Sequence, residues 1–263
     1  VIERERHELI LRVLRQGRFA SVTDIAELVR SSEATVRRDF AKLQATGRLH
    51  RVRGGAEYAE PESTPSEAPG LAGFGGQLPF EYRKGILLEK KRLIARKAAS
   101  LCSAGETIII DGGSTTFHMA EFLEGSRLKI ITNSFAMAEI LVRHSHNTVI
   151  LNGGVVYPDS QLILDPFQEE GFRNYYADKV FMGVYGIDER GASNTDMPLI
   201  KTERAMIEHG KRLIVLADSS KFGRRGNLML CGWEKISTII TDGGIGEEQR
   251  STALSRGVEL IVV

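Results

Sequence analysis

The sequence predicts an α/β protein in which a mostly parallel sheet covered by helices follows a small winged helix-turn-helix domain. Three observations carry this prediction. Short β-branched runs alternate with helical patterns beyond Pro79, two apolar stripes at helical spacing flank a polar turn near Ser31, and a proline- and glycine-rich stretch separates the two regions.

In the first region, Leu9, Ile10, Val13 and Leu14 give an apolar stripe for a first helix that ends before Gly17. Val22, Ile25, Ala26 and Val29 give a second, and Ser21-Val22-Thr23-Asp24 forms a capping box at its start. A polar turn over Arg30 to Ser32 leads to a third helix, in which Val36, Phe40 and Leu43 recur at i, i+4 and i+7. The other side of that helix carries Ala34, Thr35, Arg37, Arg38 and Lys42. Small and hydroxyl-bearing residues near its start, Ser32 included, let the backbone approach a groove, and arginine forks match guanine edges and phosphates. Leu49 to Arg53 then reads as an extended strand with Arg51 and Arg53 on one side, and Gly54-Gly55 supplies a tight hairpin. The predicted DNA contacts are therefore Ser32, Thr35, Arg37, Arg38, Lys42, Arg51 and Arg53.

Charge agrees with this division. Val1 to Ala56 holds twelve Lys or Arg against seven Asp or Glu, whereas the rest of the chain holds 23 against 27. A total of +1 thus conceals a basic head on an acidic body. The 263 residues, 42% hydrophobic, are enough for one small and one medium domain, and no apolar run approaches the ~18 residues needed to span a bilayer. A cytoplasmic protein is expected. Cys102 and Cys231 are too few for a disulfide framework or a metal site and are read as packed thiols; no metal or cofactor is expected.

The expected domains are 1–58 for the DNA-binding head, 59–79 for a flexible linker and 80–263 for an effector-binding body. Four of the seven prolines (Pro61, Pro65, Pro69 and Pro79) fall in or at the end of the linker, among glycines and acids that bury too little apolar surface to offset their ordering entropy.

In the body, a helical stretch over Phe80 to Ser103 precedes seven expected strands: Thr107 to Asp111, Lys129 to Thr132, Thr148 to Asn152, Lys179 to Gly183, Arg212 to Ala217, Thr238 to Thr241 and Glu259 to Val263. Helical patterns lie near 115–123, 134–144, 166–175, 199–209 and 246–256. Open parallel sheets bind ligands at the carboxyl ends of their strands. There the first strand is followed by Asp111, Gly112, Gly113, Ser114, Thr115 and Thr116, where glycine backbone, hydroxyls and a helix start make a phosphate cradle. Other strand ends contribute Asn133, Ser134, Gly153, Gly154, Asp188, Asp218 and Lys221, the lysine offering a point charge.

The run SVTDIAELV, SEATVRRDFAKL and GRLHRVRGGA closely resembles the DNA-binding end of the DeoR family of bacterial transcriptional regulators, with Phe40 where the family more often has leucine. DGGSTT, ITNS, NGG and LADSSKFG resemble its effector-sensing domain, which is similar in fold to ribose-5-phosphate isomerase and glucosamine-6-phosphate deaminase. The resemblance implies a repressor of sugar or carbohydrate-derivative metabolism that binds a double-stranded DNA operator as a homo-oligomer, dimer or tetramer, with no membrane partner. A phosphorylated sugar or sugar acid is the implied effector. Within Asn194 to Ile207 the sequence departs from the family, with Glu203 where a lysine is usual. Near an anionic ligand that exchange weakens phosphate binding, unless Lys201 compensates, and it makes Glu203 a candidate for tuning effector choice. It also keeps an alternative open, a sugar-phosphate isomerase or deaminase using Asp188 and Glu203 as paired carboxylates. Against it, Tyr185 stands where the isomerase pattern has another aspartate, and no catalytic residue is assigned.

Overall fold

The computed structural model describes residues 3–17, 19–46, 48–52, 54–58, 79–165, 172 and 174–263. They form two compact units, Val1–Leu87 and Leu88–Val263. The expected linker, apart from Pro79, and Arg53 lie outside the described residues, as does most of the helix expected near 166–175.

In the first unit, α1 (Glu3–Gly17), α2 (Val22–Leu28) and α3 (Glu33–Ala45) enclose a core of Ile10, Leu11, Val13, Leu14, Ile25, Val36, Phe40 and Leu43. These are the stripes that sequence periodicity marks. Ser21 Oγ accepts the Asp24 amide at the start of α2, Ser32 Oγ accepts that of Thr35 at the start of α3, and Arg30 turns the chain between them at φ 48°. Strands β1 (Phe19–Ser21), β2 (Leu49–Val52) and β3 (Gly55–Tyr58) form an antiparallel sheet of order β1-β3-β2, with Val52 opposite Gly55. This hairpin is the expected wing.

The helix expected over Phe80 to Ser103 is broken. A short α4 (Phe80–Arg83) belongs to the first unit, where Tyr82 and Ile86 pack on the three-helix core, and Leu87 adopts a left-handed φ of 51° before α5 (Leu88–Ala99) begins. Burying Tyr82 and Ile86 with the head outweighs helix continuity, which local propensity supports only weakly. The grouping thus assigns residues 80–87 to the first unit.

The second unit is built on a seven-stranded parallel sheet: β4 (Thr107–Ile110), β5 (Lys129–Thr132), β6 (Thr148–Leu151), β9 (Lys179–Gly183), β12 (Leu213–Leu216), β14 (Ile236–Thr241) and β15 (Glu259–Val262). Their spatial order is β15-β14-β12-β9-β4-β5-β6, and these are the seven strands read from the sequence. Period-two alternation divides their side chains between two cores. Ile108, Ile110, Ile130, Phe181, Ile214 and Leu216 face Ile94 and Ala98 of α5 and Met137 and Leu141 of α6 (Phe135–His144). Ile109, Ile131, Val180, Met182, Val215 and Ile239 face Ile200 and Met206 of α7 (Met197–Glu208) and Ala253 of α8 (Glu247–Ser255).

Two smaller sheets were not expected. One is a ribbon of β7 (Val155–Tyr157) and β8 (Leu162–Leu164); the other joins β10 (Gly186–Asp188), β11 (Gly191–Asn194) and β13 (Leu228–Gly232) in the order β10-β11-β13. These strands are mostly of three or four residues, and several contain glycine, so they carry little periodic signal. Cys102 is half-buried and Cys231 buried, both free, and burial pushes each thiol up to about 12.

Candidate functional site

The outward side of α3 exposes Ser32, Ala34, Arg37, Arg38 and Lys42, with Thr35 half-buried, while Val36, Asp39, Phe40 and Leu43 face the core. Arg38 Nε donates to the Ala34 carbonyl at 3.3 Å, Arg37 pairs with Glu33 at 2.7 Å, and Lys42 Nζ lies 2.7 Å from Glu3. Pairs this exposed are worth little and can be exchanged for phosphates. Arg51 is exposed on β2.

Asp39 was missed by the sequence reading. Its carboxylate is buried and accepts hydrogen bonds from Arg6 Nε at 2.7 Å and Arg6 NH2 at 3.1 Å, with His7 Nε2 at 3.0 Å. Burial alone would raise its pKa, but the bonds from Arg6 and His7 outweigh burial and hold it below the ordinary aspartate range. A signal existed: Asp39 follows Val36 by three positions and so lies on the apolar stripe, where a charge requires a partner.

In the second unit, Asp111, Gly112 and Gly113 follow β4. The Asp111 amide donates to the Phe181 carbonyl, and the Gly112 amide donates to Asn133 Oδ1 at 2.8 Å, tying the ends of β4 and β5 together. Asn133 is fully buried, and its Nδ2 has no hydrogen-bond partner among the described residues. Ser134 Oγ caps α6 by accepting the Met137 amide. A Cβ on Gly112 would lie 2.0 Å from Leu162 Cδ2, and one on Gly113 would lie 3.4 Å from Asp111 Oδ2, so backbone and carboxylate approach closely at this loop. Thr116 Oγ1 donates to the Gly113 carbonyl at 2.8 Å. The expected helix after the loop is instead a 3₁₀ helix over Thr116–Phe122 without a side-chain cap. An axial helix dipole therefore contributes little here, because the segment is only seven residues long.

Two lysines that the sequence reading passed over border this end of the sheet. Lys91 of α5 is buried, with Nζ 3.2 Å from Ser114 Oγ. Lys90 forms a 2.8 Å ion pair with Asp242 at the end of β14. Asp242 also accepts the Ser219 amide at 2.6 Å, and Asp218 accepts that of Ser220 at 3.0 Å, so both carboxylates shape the turn that carries Lys221. Lys221 itself is half-buried. Lys91 was legible too: with Ile94, Ala95 and Ala98 it occupies i, i+3, i+4 and i+7 of one stripe.

Glu203 is 1% exposed on α7, and Asn194 Nδ2 donates to both its oxygens, at 2.8 and 3.0 Å. Burial, and then the negative charge of Asp111, push its pKa well above the usual carboxylate range. It is therefore a buried carboxyl group, its charged form disfavoured by burial and by Asp111, rather than a solvated charge.

Three expected members make no described side-chain hydrogen bond to this cluster, although the Ile187 carbonyl beside Asp188 accepts the Gly223 amide just after Lys221. The Asp188 carboxylate is taken by Arg225 and by the Arg190 amide, on the wall of a separate hollow of about 300 Å³ with Phe222, Trp233 and Glu248. The pairing with Arg225 overrides its burial and lowers its pKa. Gly154 serves the turn into β7: at φ 142°, any Cβ would lie 2.4 Å from the Leu164 carbonyl oxygen. Gly153 is exposed, with nothing near its Cβ position.

Residues 6–62 match the DeoR-like helix-turn-helix domain, and residues 87–243 match the DeoR C terminal sensor domain. The chain is 32% identical over 98% of its length to 93% of a putative aga operon transcriptional repressor of Escherichia coli O157:H7. It is 30% identical to the HTH-type transcriptional regulator UlaR of Escherichia coli (strain K12 / DH10B), covering 99% of both chains. Among solved structures, ribose 5-phosphate isomerase A of Methanocaldococcus jannaschii is similar at 16% identity and a TM-score of 0.34, over 50% of this chain and 53% of that one, a likeness too slight to bear on function. With both domains matched and the whole length shared with such regulators, the chain belongs to the DeoR family of DNA-binding transcriptional regulators.

Proposed function

We propose that this protein represses genes of sugar or sugar-derivative metabolism and that a phosphorylated sugar or sugar acid controls it. Through α3 and the β2–β3 hairpin the head binds a double-stranded operator, with Ser32, Thr35, Arg37, Arg38, Lys42, Arg51 and Arg53 at the interface. The effector lies at the carboxyl ends of β4, β5 and β12, against Asp111 to Thr116, Asn133, Ser134, Asp218 and Lys221. One observation carries the effector reading. The Gly112 amide is pinned by Asn133 in a loop of glycines and hydroxyls whose Ser114 meets the buried Lys91 ammonium.

The protein acts as a homo-oligomer, so that paired heads read two half-sites, and it works in the cytoplasm, where bacterial DNA lies. It is not an enzyme: Asp188 is committed to Arg225, and Tyr185 lies under the Arg224 guanidinium at 4.6 Å. Fluorescence anisotropy on DNA upstream of the neighbouring genes, with and without sugar phosphates, tests the reading. A saturable affinity that a sugar phosphate changes supports it. Turnover of the sugar phosphate would return the isomerase alternative.

A further inference from the structure

We propose that a hollow at the amino ends of β5 and β6 binds a small polyanion, a solute carrying two linked phosphates, at a site separate from the carboxyl-end cluster of the same sheet.

The hollow, of about 370 Å³, is lined by Gly105, Arg127, Leu128, Lys129, His146 and Thr148. Lys129 and Thr148 face each other as the first residues of β5 and β6, and Arg127 and His146 stand two residues before them. The four-residue length of β5 sets this hollow on the order of 13 Å from the carboxyl ends. Its walls are fixed by the backbone. The Gly105 amide donates to the Arg127 carbonyl at 3.1 Å, the Lys129 amide to the Glu106 carbonyl at 3.0 Å and the Thr148 amide to the Leu128 carbonyl at 2.9 Å. Asn147 adds a clamp, its Oδ1 accepting the Leu128 amide and its Nδ2 donating to the Leu123 carbonyl, both at 2.7 Å. The lining side chains are thus left for a ligand on a preformed frame.

Two observations point to an anion. Arg127, Lys129 and His146 make no side-chain hydrogen bond or ion pair among the described residues, in a body where acids outnumber bases. Elsewhere in that body Lys90, Lys179, Lys211 and Arg225 each meet a carboxylate. The nearby acids do not neutralise the hollow: Glu106 is taken by Lys179 and the Ser103 amide, and the described bond between Glu124 and His146 is between backbone groups. Positive charges gathered round one hollow repel, and a multiply charged anion relieves that repulsion.

The second observation is independent. Arg127 sits at φ 52°, a left-handed backbone that glycine or asparagine adopts at less cost. The turn itself therefore gives no reason for a guanidinium there.

The donor set selects the class. A guanidinium fork grips a phosphate through two bonds, Lys129 adds a point charge and Thr148 a hydroxyl donor. Neighbouring strand positions lie roughly 5–7 Å apart, so the donors are spread more widely than one phosphate and suit two in sequence.

Calorimetric titration of the full chain with inorganic pyrophosphate, in enough salt to screen diffuse surface charge, tests this. Wild type should bind it saturably and more tightly than orthophosphate. Arg127→Gly suits the left-handed backbone and keeps the turn; combined with Lys129→Gln it should weaken pyrophosphate by about tenfold or more, the loss of two charge-assisted contacts. Should that double variant fail to fold, Lys129→Gln with His146→Gln, at two exposed positions, should show a loss of the same order. Arg143→Gln, which removes an exposed charge from α6, should bind as wild type does. Absence of saturable binding by wild type, wild-type affinity in a folded double variant, or an equal loss in Arg143→Gln overturns the site. Orthophosphate binding as tight as that of pyrophosphate overturns the diphosphate class.

Discussion

Arg6 and Asp39 form a two-pronged ion pair, Nε to Oδ2 at 2.7 Å and NH2 to Oδ1 at 3.1 Å, that ties α1 to the core side of α3. The pair sits on the side of α3 opposite Arg37 and Arg38, the face proposed to meet DNA. Asp39→Ala removes the carboxylate that the half-buried Arg6 grips and should destabilise the head, measured by denaturant unfolding of the full chain. The pH dependence follows from the depressed pKa of Asp39. The contribution is complete above the ordinary aspartate value of 3.8 and is lost as pH falls through the lower folded value. An Asp39→Asn head should lack that acid-side loss.

Arg38 is exposed and its nearest described bond is to its own helix backbone, so Arg38→Ala should leave unfolding unchanged and weaken operator binding by ~1–3 kcal/mol. Arg51→Ala on β2 should weaken binding to all sequences alike and reduce the salt slope by about one. Anisotropy at several salt concentrations separates the two. Unchanged operator affinity in Arg38→Ala would remove α3 from the interface.

Glu203 gives a pH signature of the opposite sign. Its folded pKa is raised, so its contribution is intact below the unfolded value of 4.5 and is lost as pH rises from there through the folded pKa. Thermal midpoints should therefore fall with rising pH in wild type relative to Glu203→Gln, which cannot ionise. Glu203→Lys places an ammonium beside Asp111 and should tighten phosphate-bearing ligands in calorimetry, whereas equal affinities would remove Glu203 from ligand tuning.

Gly154→Ala should destabilise the second unit by roughly 1–3 kcal/mol, because φ 142° and a 2.4 Å approach to the Leu164 carbonyl oxygen admit no side chain. The ligand response of the remaining folded protein should match wild type. A folded variant of normal stability that no longer binds ligand would return Gly154 to the effector site.

By itself the sequence determined the helix-turn-helix, the wing and the seven strands of the parallel sheet. Each rests on a local pattern: stripes such as Val36, Phe40 and Leu43, a cap such as Ser32, or a β-branched run such as Thr107 to Ile110. The Gly112–Thr116 loop was legible for the same reason, since strand ends in parallel sheets are where chains turn. Tertiary structure alone decided which charges meet. Arg6 reaches Asp39 from 33 residues away, and Lys90 reaches Asp242 across the sheet. Asp188 turns to Arg225, and Glu203 is buried against Asn194 rather than solvated. A charged side chain tolerates burial only where a partner compensates its lost hydration, and that partner is set by packing, which no local spacing records.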